Sequence, residues 1–148
     1  MFNAIIEIPK DCDRRIHFSK EKNDFVDFGS IEKKISVNNG KMPINYGFLE
    51  GIINKKERDE VDVLVFSEKE LKTGDKIEII PIALILREDG DDKIVAVNET
   101  MENIKEWSDI GKKERKLILD YFGFRHKIIS VEDSNKAMEY IESNKSSV

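Results

Sequence analysis

The side chains best suited to chemistry in this sequence are carboxylates, and they gather at the ends of apolar runs. In Glu57-Arg58-Asp59-Glu60-Val61-Asp62-Val63-Leu64-Val65-Phe66, an acidic loop opens onto a run whose Val61, Val63 and Val65 are β-branched, the pattern of a buried strand. Asp59 and Asp62 stand at its entrance. Carboxylates crowded at one strand mouth repel each other, and a hard divalent cation with oxygen ligands, Mg2+ or Ca2+, relieves that repulsion most simply. With 30 Asp and Glu in 148 residues, a solvated acidic turn is the commoner explanation of this stretch taken alone, so the remainder must decide. A second acidic cluster, Glu88-Asp89-Gly90-Asp91-Asp92-Lys93, also joins two strand-like runs. Glu7, among isoleucines, points to solvent if the strand alternates simply. Tyr46, taken alone, reads as a core tyrosine.

The elements that must hold these groups are mostly strands. Ile5-Ile6-Glu7-Ile8 is a short strand ended by Pro9. Arg14 to Phe18 and Phe25 to Phe28 form a hairpin about a polar turn, and Asn38-Asn39-Gly40 is another turn. Met42-Pro43-Ile44-Asn45-Tyr46-Gly47-Phe48-Leu49 bends and returns to strand. Lys76 to Leu86 reads as a strand pair or one bent strand, followed by Ile94 to Val97. From residue 99 the period becomes helical. Leu117, Ile118, Tyr121 and Phe122 make one stripe before Gly123, and Asp133 or Ser134 caps a last helix whose Ala137, Met138 and Ile141 share a face. Asn144 to Val148 reads as a polar tail that frays. The expected architecture is one domain over 1–148, mainly β with flanking helices (α+β). Its small barrel spans roughly residues 3 to 97, with helices near 114–122 and 134–142 packed on it.

Composition narrows the function. The net charge of −5 argues against a nucleic-acid binder, which would need a basic face. No transmembrane run or signal peptide is visible, so neither a membrane nor export is expected, and the chain is placed in the cytoplasm. Cys12 is the only cysteine, which excludes an internal disulfide and a cysteine zinc cluster.

Several separated stretches, in order, resemble the soluble inorganic pyrophosphatases of the first family. Ile6-Glu7-Ile8-Pro9-Lys10 is similar to the family's opening strand, and Pro43 to Phe48 to its Pro-x-Asn-Tyr-Gly segment. Glu57 to Val65 resembles the signature Asp-Gly-Asp-Pro-x-Asp-Val-Leu-Val. Gly74 to Pro81, and Asp91 to Val97 with its Asp-x-Lys-x-x-Ala-Val pattern, extend the match over nearly the whole chain. The resemblance implies a five-stranded barrel related to the OB-fold and Mg2+-dependent hydrolysis of pyrophosphate to two phosphates, with Mn2+ as an alternative ion. It implies a homo-oligomer, a hexamer as in bacterial relatives. Carried over by position, Glu57, Asp62 and Asp91 hold metal, Glu88 a further ion bridged by Asp91, and Glu7 the outermost ion through water. Asp59 orients and deprotonates the attacking water. Arg15, Lys34, Tyr46 and Lys93 grip phosphate oxygens.

The departures from the pattern are specific. Glu57, Arg58 and Glu60 replace the signature's Asp, Gly and Pro, and His17 replaces a metal-side carboxylate. Lys34 replaces an arginine, losing its fork. The family's Tyr-Lys pair after the long helix has no clean equivalent in Gly123-Phe124-Arg125-His126-Lys127. These changes favour a second reading, a module that binds metal or a phosphorylated ligand without efficient turnover. The intact Asp59, Asp62, Tyr46 and Lys93 favour the enzyme.

Overall fold

A computed structural model describes residues 2–56 and 58–145. Glu57, and the end of the tail expected to fray, residues 146–148, lie outside the described residues.

The chain runs through β1 (Phe2–Ile8), β2 (Arg14–Ser19), β3 (Asp24–Ser30), β4 (Asn45–Asn54), β5 (Asp59–Phe66), β6 (Lys76–Arg87) and β7 (Lys93–Asn98). Helix α1 (Lys112–Phe122), strand β8 (Ile128–Glu132) and helix α2 (Ser134–Asn144) complete it. One sheet has the order β1-β4-β5-β7-β6-β8, and a β1–β6 pairing closes its first five strands into the expected barrel. The β2–β3 hairpin is a separate ribbon against β1.

β6 closes the barrel because Lys76 to Arg87 is one bent strand, the second of the two forms the sequence left open. Its first half pairs with β1, from Phe2 opposite Ile79 to Ile5 opposite Lys76, and its second half pairs with β8. The register against β7 shifts between Pro81 and Ala83, a bulge that suits a residue with no N–H to give the ladder. β5 and β7 lie side by side in parallel and are covered on both faces, which is why they read as unbroken apolar runs. Val61, Val63 and Val65 join the cluster that α2 covers with Ala137 and Ile141. Leu64, Val95 and Val97 face the other way, into the cluster completed by Ile118, Tyr121 and Phe122 of α1. Truncating fully buried Leu64 to alanine would cost about 2–5 kcal/mol.

Gly47 marks the tightest strand approach. A Cβ there would collide with the Ile5 carbonyl oxygen, so β1 and β4 meet at this register only with glycine. Gly123 stops α1 through proximity rather than through a left-handed turn. Its φ is −93°, and a Cβ would lie 2.7 Å from the Leu119 carbonyl oxygen.

Three features depart from the sequence reading. β8 was not expected between the helices. Met138 is 37% exposed, and Tyr140 instead packs against the core beside Ala137 and Ile141. Asn144 does not fray: it is buried, accepts the Lys55 N–H on Oδ1 at 3.1 Å and donates from Nδ2 to the Tyr140 carbonyl at 2.8 Å. No helix among the described residues is long and apolar enough to cross a membrane.

Candidate active site

The site begins with a strand register. Asp62 on β5 lies directly beside Lys93, the first residue of β7, so their side chains emerge together on the α1 side of the sheet. Lys93 is only 2% exposed, and its Nζ donates to Asp62 Oδ2 at 2.5 Å and lies 3.0 Å from Asp91 Oδ2. Burial pushes the Asp62 carboxyl up to about 6; the Lys93 ammonium pulls it down, and the Asp91 charge pushes it further up. One ammonium thus stands between two carboxylates in a setting that disfavours charge.

β4 supplies the aromatic floor. Asn45 is buried and ties two elements, accepting the Lys10 N–H on Oδ1 at 2.9 Å and donating from Nδ2 to the Val65 carbonyl at 3.0 Å. This fixes Tyr46, whose ring stacks on Phe122 at 6.1 Å, meets the edge of His17 at 6.1 Å, and lies 5.6 Å from Lys93 Nζ. Burial, then the charges of Asp62, Glu7 and Asp91, hold the phenol well above its ordinary value, so it is a hydrogen-bond donor throughout the physiological range.

Two cavities of about 290 Å3 each meet at Tyr46, His17 and Asp91. The first is acidic: Glu7, Asp59, Glu60 and Asp62 join Asp91 in its wall. Glu7, for which simple alternation implied a solvent-facing side chain, is 6% exposed; its Oε2 accepts the Phe18 N–H at 2.7 Å and lies 3.6 Å from His17 Nδ1. Asp59 is exposed at the strand mouth. A hydrogen bond with the Glu60 carboxyl holds it below the usual carboxylate range, while burial and Asp59 push Glu60 up. The pair therefore keeps Asp59 ionised and lets Glu60 take up a proton more readily. Lys20 Nζ lies 3.3 Å from Glu60 Oε1.

The second cavity is basic, with Arg15, Lys34, Arg87, Lys93 and Arg125 in its wall and His126 beside them. Arg87 forks onto Asp89, Nε to Oδ1 at 3.1 Å and Nη2 to Oδ2 at 2.6 Å, and His126 Nε2 is 3.7 Å from Asp89 Oδ2. Burial lowers the guanidinium's affinity for its proton, and the Asp89 bonds and charge outweigh that and raise it.

Of the side chains carried over by resemblance, Glu7, Asp59, Asp62 and Asp91 share the acidic cavity, and Arg15, Lys34, Tyr46 and Lys93 share the basic one. Glu57 lies outside the described residues. Glu88 is not brought in. It is exposed, its Oε1 accepts the Lys127 N–H at 3.1 Å, and it lines neither cavity. Sequence reasoning missed Arg87, Arg125 and His126. The last two arrive because β8 pairs Ile128 with Arg87, which folds the short segment after α1 back over the end of β6. The stop at Gly123 followed by an isoleucine pair was the one available signal.

Among the described residues, no three His, Cys, Asp or Glu side chains are already gathered to hold one ion. The donor set still fits a hard cation. It is almost wholly carboxylate oxygen, and Asp62 is pushed up by burial and a like-charged neighbour, a cost that a divalent ion removes.

Fold and site together define a small barrel protein that sets a carboxylate cavity against a cation cavity, an arrangement for a metal beside an anion. The chain belongs to the inorganic pyrophosphatase family, whose pattern it matches over residues 4–147. It is 30% identical over 129 residues to the inorganic pyrophosphatase of Sulfolobus acidocaldarius, covering 81% of this chain and 70% of that one. It is 35% identical over 102 residues to that of Aeropyrum pernix, covering 64% of this chain and about half (52%) of the relative. The crystal structure of the Ehrlichia chaffeensis inorganic pyrophosphatase superposes with a TM-score of 0.85 at 30% identity, over 96% of this chain and 91% of that one.

Proposed function

We propose that this chain hydrolyses inorganic pyrophosphate to two phosphates with a divalent cation, Mg2+ or alternatively Mn2+. The observation that carries the reading is the junction of the two cavities at Tyr46, with carboxylates on one side and fixed cations on the other. Membership of the family, and relatives named as inorganic pyrophosphatases, support the reaction. When bound, the cation neutralises phosphate oxygens and lowers the pKa of water.

Asp62, Asp91 and Glu7 hold the cation in this proposal, with Glu57 completing the set. Asp59, ionised at neutral pH, takes the proton of the attacking water. Arg15, Lys34 and Lys93 draw charge from the phosphate oxygens, and the Tyr46 hydroxyl donates a hydrogen bond to them. Lys93 has two uses. It neutralises Asp62 and Asp91, and with a cation held by those carboxylates its ammonium would be available to the anion. Arg125 and His126 close the far side, the region of the family's Tyr-Lys pair.

Phosphate release from pyrophosphate, followed with Mg2+, with Mn2+ and with EDTA, tests the reading. Turnover in either metal and none in EDTA supports it, and no turnover in any condition overturns it. The same reading extends to a cytoplasmic homo-oligomer, a hexamer. Light scattering on the purified chain checks that against multiples of 17.1 kDa.

A further inference from the structure

The carboxylates of the segment from Glu88 to Asp92 are each engaged by the protein itself. Asp89 takes the Arg87 fork, Asp91 lies 3.0 Å from Lys93 Nζ, Asp92 Oδ1 accepts the Arg87 N–H at 2.9 Å, and Glu88 Oε1 accepts the Lys127 N–H. The resemblance assigns a further ion to Glu88 and Asp91, yet Glu88 lines neither cavity, and beside Asp91 it is Arg87, the residue immediately before this segment, that enters the wall of the basic cavity. Its side chain is 12% exposed. Asp89 uses two of the five guanidinium N–H donors, which leaves three for an anion in the cavity.

We propose that Arg87 is a fixed cation of the phosphate site, doing at the anion what a further metal ion would do, so that part of the pyrophosphate charge is met without metal. The inference rests on the pyrophosphatase reading above. Asp89 is the positioning residue. A planar fork held by a bidentate carboxylate is already ordered before the anion arrives, so little rotamer freedom is lost on binding. Arg15, Lys34 and Arg125 stand in the same wall, while Lys93 is held by Asp62 and Asp91 and Arg87 by Asp89; this excess of cations favours a multiply charged anion even when divalent cation is scarce.

The test is binding rather than turnover. Imidodiphosphate, whose bridging nitrogen resists hydrolysis, is titrated into the full chain by calorimetry in EDTA and at several Mg2+ concentrations. Wild type, Arg87→Gln, Arg87→Lys and Asp89→Asn are compared. The wild type should bind in EDTA, and Arg87→Gln should bind about 10- to 100-fold more weakly, the size of one charge-assisted hydrogen bond. Arg87→Lys keeps the charge, loses the fork and falls between them; it carries the test if Arg87→Gln does not fold. Asp89→Asn should weaken binding less than Arg87→Gln, and the deficits should narrow as Mg2+ rises. If Asp89 is instead a metal ligand that Arg87 only masks, the signs reverse: Arg87→Gln lowers the Mg2+ needed and Asp89→Asn raises it. That reversal, affinities equal to wild type in the arginine variants, or wild-type binding only with Mg2+ overturns the inference alone. A wild type that binds no imidodiphosphate with or without Mg2+ overturns the pyrophosphatase reading as well.

Discussion

Replacing Lys93 by methionine keeps the length of the side chain and removes the one ammonium between Asp62 and Asp91. Both carboxylates then face each other without a cation in a site where Lys93 itself is 2% exposed. Breaking a buried pair in this way costs about 3–5 kcal/mol, because a charge is left uncompensated. For a chain of this size the loss corresponds to roughly 6–20 °C in Tm. The penalty depends on pH in a defined sense. Asp62 already takes up its proton near 6 with Lys93 present, and without the ammonium it does so at still higher pH. The full cost therefore shows at pH 8 and shrinks towards pH 5, where the carboxyl neutralises itself. Mg2+ should restore more stability to the variant than to the wild type, because in the wild type the ion must first displace the ammonium. A ligand at a hundred times its Kd stabilises by about 2.7 kcal/mol, enough to see in a melt. Thermal melts of both proteins at pH 5 and pH 8, in EDTA and in Mg2+, read all of this. A Lys93→Met protein that melts within about 2 °C of wild type at pH 8 in EDTA would refute the pairing as the cluster's support.

Asp59→Asn keeps the shape and removes the proposed base; pyrophosphate turnover should fall by on the order of 10²–10⁴-fold, with Mg2+-dependent stabilisation nearly unchanged. In metal-free wild type, Asp62 binds its proton more tightly folded than unfolded. Its contribution to stability is therefore fully present below about 4 and lost as pH rises through about 6, a slope that Asp62→Asn should remove from urea-unfolding data. Arg58 holds a φ of +56°, where a side chain is strained. Arg58→Gly should raise stability by about 0.5–1 kcal/mol in the same assay.

The parts of the fold that could be read in the sequence were those set by local pattern. Val61, Val63 and Val65 declared β5, and the Leu117 to Phe122 stripe declared α1, because strand and helix periods act within a few residues. The long apolar run of β6 was legible as strand, but whether it formed a strand pair or one bent strand was decided by its pairing with β1 at one end and β8 at the other. β8 was not, because five residues with Ile129 64% exposed carry little alternation, and the strand exists through its pairing with β6. That pairing brings in Arg125 and His126, so their place in the cavity depends on a long-range contact, of which the Gly123 stop and the isoleucine pair after it gave only a local hint. Asn144 looked like part of a loose tail because its main partner, the Lys55 N–H, lies 89 residues away. Where β6 ends, composition could not tell which side chain would face the basic cavity. Arg87, the last residue of the strand, takes that position, and Glu88, in the turn beyond it, lines neither cavity.

The Asp62 and Asp91 carboxylates around Lys93, at the edge where the acidic cavity meets the basic one, are central to the account, and the turnover of Asp62→Asn beside wild type tests it most directly. With pyrophosphate and saturating Mg2+, the wild type should release phosphate and the variant should lose at least about 10²-fold, since this one change removes both a proposed metal-holding carboxylate and one of the two partners of Lys93. Turnover by Asp62→Asn at the wild-type rate would contradict the account.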